Sequence, residues 1–280
     1  MTTIAECLRL SRDLQVIAET ARLDCEVLLS HVLDKDRAYL YTWPEKCLTE
    51  AQYTTFMDAI NLRKQGMPVA HIIGQKEFWS LPLSVNQTTL IPRPETELLV
   101  EVALNQLPEP IMPKTVADLG TGTGAIAFAI ATERPHWRVW AYDKYLEVVN
   151  LAKVNLQALG LLNVSLVCSD WFQGVGDQKF DLIVSNPPYI SSEDEHLKQG
   201  DVRFEPKTAL VAEKNGLADI QHIIQQSPNY LNEGGWLLLE HGFQQAEYVQ
   251  DMLHQSGFES VFTEKDLSGQ PRVTGGQWAS

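Results

Sequence analysis

The chain has 280 residues, 44 % hydrophobic and 21 % charged, a globular composition long enough for one large core or two domains. No apolar run reaches the roughly 20 residues that span a bilayer, and the opening "MTTIAECLRLSRD" carries acids where a secretory signal would stay apolar. A net charge of −14 without a Lys/Arg cluster argues against a nucleic-acid backbone as the main binding partner.

Residues 1–74 read as a helical domain. Ile4, Leu8, Leu14 and Ile17 recur at helical spacing, as do Val27, Leu28, His31 and Val32. A further helix begins at "LTEAQ", with Thr49 as cap and Gln52 placed for a capping box, and Gly66 ends it. Residues 75–93 form a linker in which Glu77 to Val85 alternate well enough for a hairpin or edge strand, since Pro82 suits only an edge. Residues 94–280 form the second domain. Pro94 opens a helix whose positive end suits Glu95 and Glu97. From Thr115, apolar strands alternate with amphipathic helices: "TVADLG", "RVWAYD", "VSLVCSD", "FDLIVSN" and "GGWLLLEHG", with a helical segment over 217–231. This pattern predicts an α/β fold, a doubly wound and mostly parallel sheet covered on both faces. Cys7, Cys25, Cys47 and Cys168 form no C-x-x-C pair and predict free buried thiols, and the seven scattered histidines predict no metal site.

Between the first of these strands and its helix lies "ADLGTGTGAIA". Gly120, Gly122 and Gly124 permit a tight turn and close backbone approach, leaving helix N–H groups facing a crevice. Asp143, about 20 residues on, ends the next strand where a carboxylate meets a ribose diol. Two ligand classes use such a turn. Gly120, Gly122 and Ala125 satisfy the looser dinucleotide pattern of an NAD enzyme, whereas G-x-G-x-G preceded by Asp118 resembles the cofactor loop of S-adenosylmethionine-dependent methyltransferases. In "CSDWF", Asp170 at a strand end is placed for an adenine amino group, with Trp171 beside the ring.

The strand Phe180 to Ser185 stops at "NPPY". Two prolines cannot continue a central strand, so this is a rigid turn at a strand end. In a doubly wound sheet it faces the same crevice as the glycine turn, where strand order reverses. An amide or aromatic amine is a poor nucleophile because its lone pair is delocalised. The side-chain carbonyl of Asn186 and the backbone carbonyl of Pro187 can hold its N–H groups, prolines keep those oxygens in place, and Tyr189 offers a ring face.

These residues resemble the amino-methyltransferases, whose motif is [DN]-P-P-[YF]. The stretches "EFWSLPL", "TLIPRPETELLVE", "DLGTGTGAIA", "SNPPYI" and "VRFEPKTALVA" are similar to those of the HemK/PrmC family of protein-(glutamine-N5) methyltransferases, over nearly the whole chain. The resemblance implies a seven-stranded, Rossmann-like class I methyltransferase domain behind an N-terminal helical substrate-docking domain. It implies transfer of a methyl group from S-adenosyl-L-methionine, released as S-adenosyl-L-homocysteine. The acceptor is the glutamine of the Gly-Gly-Gln motif in class I peptide chain release factors. By position, Gly120, Thr121, Gly122, Thr123, Gly124, Asp143, Trp171 and Asn186 would line the cofactor site. Asn186, Pro187, Pro188 and Tyr189 would hold the acceptor, with Asn186, Pro187 and Tyr189 catalytic. Arg93, Glu95 and Thr96 would border the site, and Glu205 and Pro206 would help close it. A cytoplasmic monomer is expected, with no membrane and no direct nucleic-acid partner. An N6-adenine methyltransferase acting on DNA or RNA is the alternative sharing this chemistry. The tripeptide Gly275-Gly276-Gln277 matches the methylated sequence and reads as coincidence within a last, antiparallel strand.

Overall fold

Two capping boxes organise the N-terminal helices. Thr3 and Glu6 exchange side-chain and backbone hydrogen bonds ahead of helix Ile4–Arg9, and Thr49 and Gln52 do the same ahead of Glu50–Lys64. Each cap contributes about 1 kcal/mol. In the computed structural model, which describes residues 2–108, 111–198 and 200–279, these helices belong to a compact unit comprising Met1–Gln75 and Glu195–Phe204. Leu14, Leu28, Leu29, Leu40, Phe56 and Ile60 are fully buried in its own core. Buried charge in this unit is paired. Glu26 is shared by Arg22 at 2.6 Å and Arg37 at 2.7 Å, and Arg63 meets Asp24 at 2.7 Å and Asp201 at 2.9 Å. Unpaired, any of these would be costly to bury. Asp201 lies on Glu195–Phe204, so this distant segment packs with the helices and not with the strands that flank it in sequence.

The second unit comprises Lys76–Asp194 and Glu205–Ser280. A hairpin of β1 (Gln75–Phe78) and β2 (Leu81–Ser84) begins at its boundary. The hairpin turns on Trp79 and Ser80, both at positive φ, the geometry that matches strand twist. The main sheet contains β3 (Thr115–Leu119), β4 (Arg138–Asp143), β5 (Val164–Cys168), β6 (Phe180–Ser185), β7 (Leu231–Glu240), β8 (Phe258–Lys265) and β9 (Pro271–Trp278). Its order is β5-β4-β3-β6-β7-β9-β8, parallel except that β9 runs antiparallel to both its neighbours. Alternate residues serve two cores. Val116, Leu182 and Val184 face the buried helix Ala125–Glu133, while Ala117, Leu119 and Ile183 face Ile220, Ile223 and Leu253. The sheet is therefore covered on both faces, as expected of a doubly wound fold.

Two expectations need correction. The helix expected over 217–231 ends at Gln226, a short turn follows at Ser227–Asn229, and Leu231 already begins β7. Pro228, which lacks the N–H needed to continue a helix, explains the early stop. Of the cysteines expected to be buried, Cys7 and Cys25 are, but Cys47 and Cys168 are exposed. The Gly-Gly-Gln tripeptide lies inside β9, between β7 and β8, where a Cβ on Gly275 would come within 2.4 Å of Leu238 and one on Gly276 within 2.9 Å of Phe258. The tripeptide sits in an antiparallel strand as expected, its glycines leave room for side chains of the adjoining strands β7 and β8, and the Gln277 amide donates to the Gly234 carbonyl at 3.0 Å.

Candidate active site

Leu119 of β3 lies opposite Ser185 of β6, so the glycine turn and the Asn-Pro-Pro-Tyr turn leave adjacent strands at the same edge. The Ser185 hydroxyl donates to the Leu119 carbonyl at 2.7 Å and ties the two departures together. Beyond this edge lies a cavity of about 340 Å³, within the range of small-molecule sites. Gly120, Thr121, Gly122, Thr123, Asp143, Trp171, Asn186 and Pro188 line it; Gly124, Pro187 and Tyr189 do not.

Asp143 has two roles. One carboxylate oxygen accepts from the Gly122 N–H at 3.0 Å and the other from the Tyr145 N–H at 3.1 Å, so the acid shapes the glycine turn. Each oxygen has a further lone pair for a ligand hydroxyl. Burial raises the pKa of Asp143, and these backbone donors oppose the rise. Beneath the turn, fully buried Asp118 accepts from Thr121 at 2.6 Å and from the Ala127 N–H at 3.2 Å. Desolvation pushes its pKa up to about 7. Gly124 has φ +88°, and a Cβ there would fall 2.0 Å from the Phe128 ring. It sets the turn's path into the helix and leaves the cavity to its neighbours. Asn155 supports this region from below, donating to the carbonyls of Thr123 and Ser84 at 3.0 and 3.1 Å.

After β5, Trp171 adopts φ +48° and lies beside Gly120, a left-handed conformation unusual for so large a residue. Ser169 braces it, donating to the Trp171 carbonyl at 2.9 Å. Asp170 also lines the cavity but pairs with Lys144 at 2.9 Å, so its carboxylate is shared with a cation.

The fourth-strand turn is held from several sides. Asn186 donates its side-chain NH₂ to the Thr96 hydroxyl at 3.1 Å, leaving Oδ1 out of that bond. The Tyr189 carbonyl accepts from Gln245 at 3.0 Å, and the left-handed Gly216 approaches so closely that a Cβ would stand 2.0 Å from that oxygen. Ile190 bridges Val211, with N–H···O bonds to the Leu210 carbonyl and from Ala212. The Tyr189 ring packs into the core, and its hydroxyl points to Glu240 at 3.4 Å. Burial pushes its pKa up.

Arg93 and Thr96 line the cavity, whereas Glu95, Glu205 and Pro206 do not. Glu205 instead sits buried behind Arg93, pairing with its guanidinium and accepting from the Ile91 N–H at 3.3 Å. Sequence reasoning missed Thr88 to Leu90, Lys144, Tyr145, Thr208, Ala209, Val211 and Asp219, all of which line the cavity. Lys144 and Tyr145 could have been found, since they directly follow the strand-end acid. Among the described residues, no group of three or more His, Cys, Asp or Glu is placed to hold a metal ion.

A parallel sheet of this order with these two turns defines a Rossmann-like methyltransferase. The sequence profile of the PrmC N-terminal domain matches residues 9–74, and that of the methyltransferase small domain matches residues 95–204. The chain is 52 % identical to the release factor glutamine methyltransferase of Shewanella oneidensis over 98 % of its own length and 96 % of the relative's. It is 50 % identical to that of Pseudomonas aeruginosa over the full length of both. A methyltransferase structure from Pyrococcus furiosus shares the fold, with a TM-score of 0.55 at 15 % identity, covering 83 % of this chain and all of the other. The chain belongs to the release factor glutamine methyltransferase family.

Proposed function

We propose that the cavity binds S-adenosyl-L-methionine and that Asn186 presents the glutamine side-chain amide of a Gly-Gly-Gln motif in a class I release factor for N5-methylation. The observation that carries this reading is the Asn186 amide: its NH₂ is engaged by Thr96, and its carbonyl is left for an acceptor N–H at a cavity shared with the glycine turn. The donor set suits the cofactor. Asp143 has spare lone pairs for a ribose diol, the glycine turn allows close backbone approach, and Trp171 supplies an apolar wall. S-adenosyl-L-methionine supplies a methyl group on a sulfonium and leaves as S-adenosyl-L-homocysteine. The protein's part is alignment. In this reading Asn186 Oδ1, at the cavity, accepts one amide N–H, and the carbonyl of Pro187, next in the turn though outside the cavity lining, accepts the other, which turns the nitrogen lone pair toward the methyl group. The proline pair holds these oxygens before the acceptor arrives, so little reorganisation is needed in the transition state. The nitrogen releases one proton to water as the new N–C bond forms.

The helical unit is the docking surface for the release factor in this reading, with Tyr41, Trp43 and Tyr53 exposed on it, a composition common at recognition surfaces. A monomer working in the cytoplasm fits a translation substrate, and no helix among the described residues is long and apolar enough to cross a membrane. Tritiated methyl transfer to purified release factor, with plasmid DNA as parallel acceptor, tests the proposal. Label in the protein acceptor is expected, removed by changing its Gly-Gly-Gln glutamine to alanine. Label in DNA alone would select the adenine methyltransferase alternative.

A further inference from the structure

After β7 the segment His241 to Gln245 leads into the helix Ala246–Gln255, with Gln245 at its N-cap. An N-cap side chain ordinarily accepts from the free N–H groups of its own helix. Gln245 makes no such bond among the described residues and turns back instead. Its Oε1 accepts from the Gly242 N–H at 2.9 Å, and its backbone N–H donates to the Gly242 carbonyl at 2.8 Å, so it grips both backbone groups of Gly242. Its Nε2 donates to the carbonyls of Tyr189 and Asn215 at 3.0 and 3.2 Å. One end of the amide meets a donor and the other meets two acceptors, which leaves it a single orientation.

Gly242 is held in turn by His241. This buried ring faces the Gly242 carbonyl through Nδ1 at 2.9 Å and the Thr274 hydroxyl through Nε2 at 2.7 Å. A carbonyl only accepts, so Nδ1 carries a proton. Burial lowers the pKa of His241, and in the neutral ring Nε2 is the acceptor. Thr274 spends its one proton there. The Thr263 hydroxyl, 2.7 Å away, therefore donates to Thr274, and Gln250 donates to Thr263 at 2.8 Å. The chain runs in one direction from Gln250 through β8 and β9 to the Gly242 carbonyl.

We propose that Gln245, aligned by His241 through Gly242, is a positioning residue for methyl transfer that fixes the far end of the Asn-Pro-Pro-Tyr turn, an inference that rests on that turn being the acceptor clamp. Thr96 holds Asn186 at the near end, and Gln245 holds the Tyr189 carbonyl at the other. The two prolines between them have fixed φ, so a shift of the Tyr189 peptide is carried to the Pro187 carbonyl. Gly216 shows how closely this end is fitted: a Cβ there would stand 2.0 Å from the Tyr189 carbonyl oxygen and 2.8 Å from Gln245 Nε2. A side chain serving only the helix would cap it; this one is directed at the site.

The test compares Gln245→Met, Gln245→Glu, His241→Asn and His241→Leu with wild type in single-turnover methyl transfer to release factor, alongside S-adenosylhomocysteine titration and thermal melting. Gln245→Met keeps the side-chain length without its hydrogen bonds. It is expected to lose about 10–10²-fold in rate with cofactor affinity retained, the lower end of effects for a preorganised polar group. Gln245→Glu keeps the acceptor for Gly242 but sets a carboxylate against two carbonyls, so it should be at least as slow. His241→Asn places an amide nitrogen where Nδ1 was and should stay within about 3-fold of wild type, whereas His241→Leu, with no donor, should lose about 10-fold. In ¹⁵N spectra at pH 8 the His241 ring, assigned by its loss in His241→Asn, should carry its proton on Nδ1 and none on Nε2. Normal rates in both Gln245 variants overturn the positioning role, as does a loss shared equally by rate, cofactor affinity and melting temperature. A neutral ring protonated on Nε2 overturns the part given to His241. Should the Gln245 variants fail to fold, equal rates for His241→Asn and His241→Leu overturn the proposal. A wild-type protein that methylates no glutamine overturns the functional reading itself, whereas an active wild type with unaffected variants overturns only this inference.

Discussion

The two turns that meet at the cavity solve opposite problems. After β3, glycines at positive φ let the turn hold itself by its own donors: the Gly120 and Thr121 N–H groups both donate to the Tyr142 carbonyl at 2.9 Å, and the Gly122 N–H donates to Asp143 at 3.0 Å. After β6, prolines remove N–H donors and fix carbonyls, with Thr96, Gln245 and Gly216 bracing the turn from outside. One turn is thus braced by its own N–H groups, and the other, which two prolines deprive of donors, is braced by partners outside it. The lesson is that a glycine turn can brace itself through its own N–H groups, whereas a proline pair gives those donors up and must be held from elsewhere.

The strongest way to break this comparison is at the rigid turn. Asn186→Ala should leave folding and melting temperature near normal while lowering single-turnover methyl transfer about 10²–10³-fold, the effect of losing one preorganised partner. Asn186→Asp keeps an acceptor oxygen and should retain more activity than the alanine variant; equal and near-normal rates would reduce the turn to a strand terminator. At the glycine turn the first expected damage is to folding. Gly124→Ala combines a left-handed backbone with a 2.0 Å clash against Phe128. It should cost about 2–4 kcal/mol of stability in denaturant unfolding. Asp143→Ala should weaken S-adenosylhomocysteine binding by about 1–3 kcal/mol in calorimetry, the scale for charge-assisted hydrogen bonds. An unchanged affinity would assign the acid to bracing alone.

The smallest effect concerns pH. The folded-state pKa of Asp118 is raised, from 3.8 to about 7. Its protonated form therefore favours folding, and that contribution is present below about pH 4 and lost as pH rises toward 7. Asp118→Asn keeps an acceptor for Thr121 and Ala127 without the charge. Its melting temperature relative to wild type should rise by a few degrees between pH 4 and pH 8, as followed by circular dichroism. A constant difference would place the charge penalty elsewhere.

Local chemistry made much of this legible beforehand. Continuous apolar strands revealed the buried parallel sheet, Thr49 and Gln52 announced a helix start, and two prolines after Asn186 marked a turn no central strand could contain. The adjacency of β3 and β6, which brings the turns together, followed from the expected strand order. The unread parts depend on partners remote in sequence. Nothing near Tyr189 indicates that its hydroxyl meets Glu240, and nothing near Glu205 shows that it pairs with Arg93 behind the cavity wall. The early end of the helix before β7 is readable from Pro228, which the expected span 217–231 ran through. Gly275 to Gln277 read as a coincidental match in a last antiparallel strand, and they lie in one, but their crowding by Leu238, Phe258 and Phe262 of the flanking strands was not visible in the sequence.

The assignment of Glu195–Phe204 to the helical unit has a topological consequence. The polypeptide passes between its two units three times, after Gln75, Asp194 and Phe204. No single cut separates them into autonomous genes: cleavage after Gln75 would leave the Asp201 segment on the wrong fragment and deprive Arg63 of one of its two carboxylates. Transplanting the helical unit onto another catalytic scaffold therefore requires an insertion as well as a fusion, and recombination at a single breakpoint after Gln75 would leave the helical module without its Glu195–Phe204 segment.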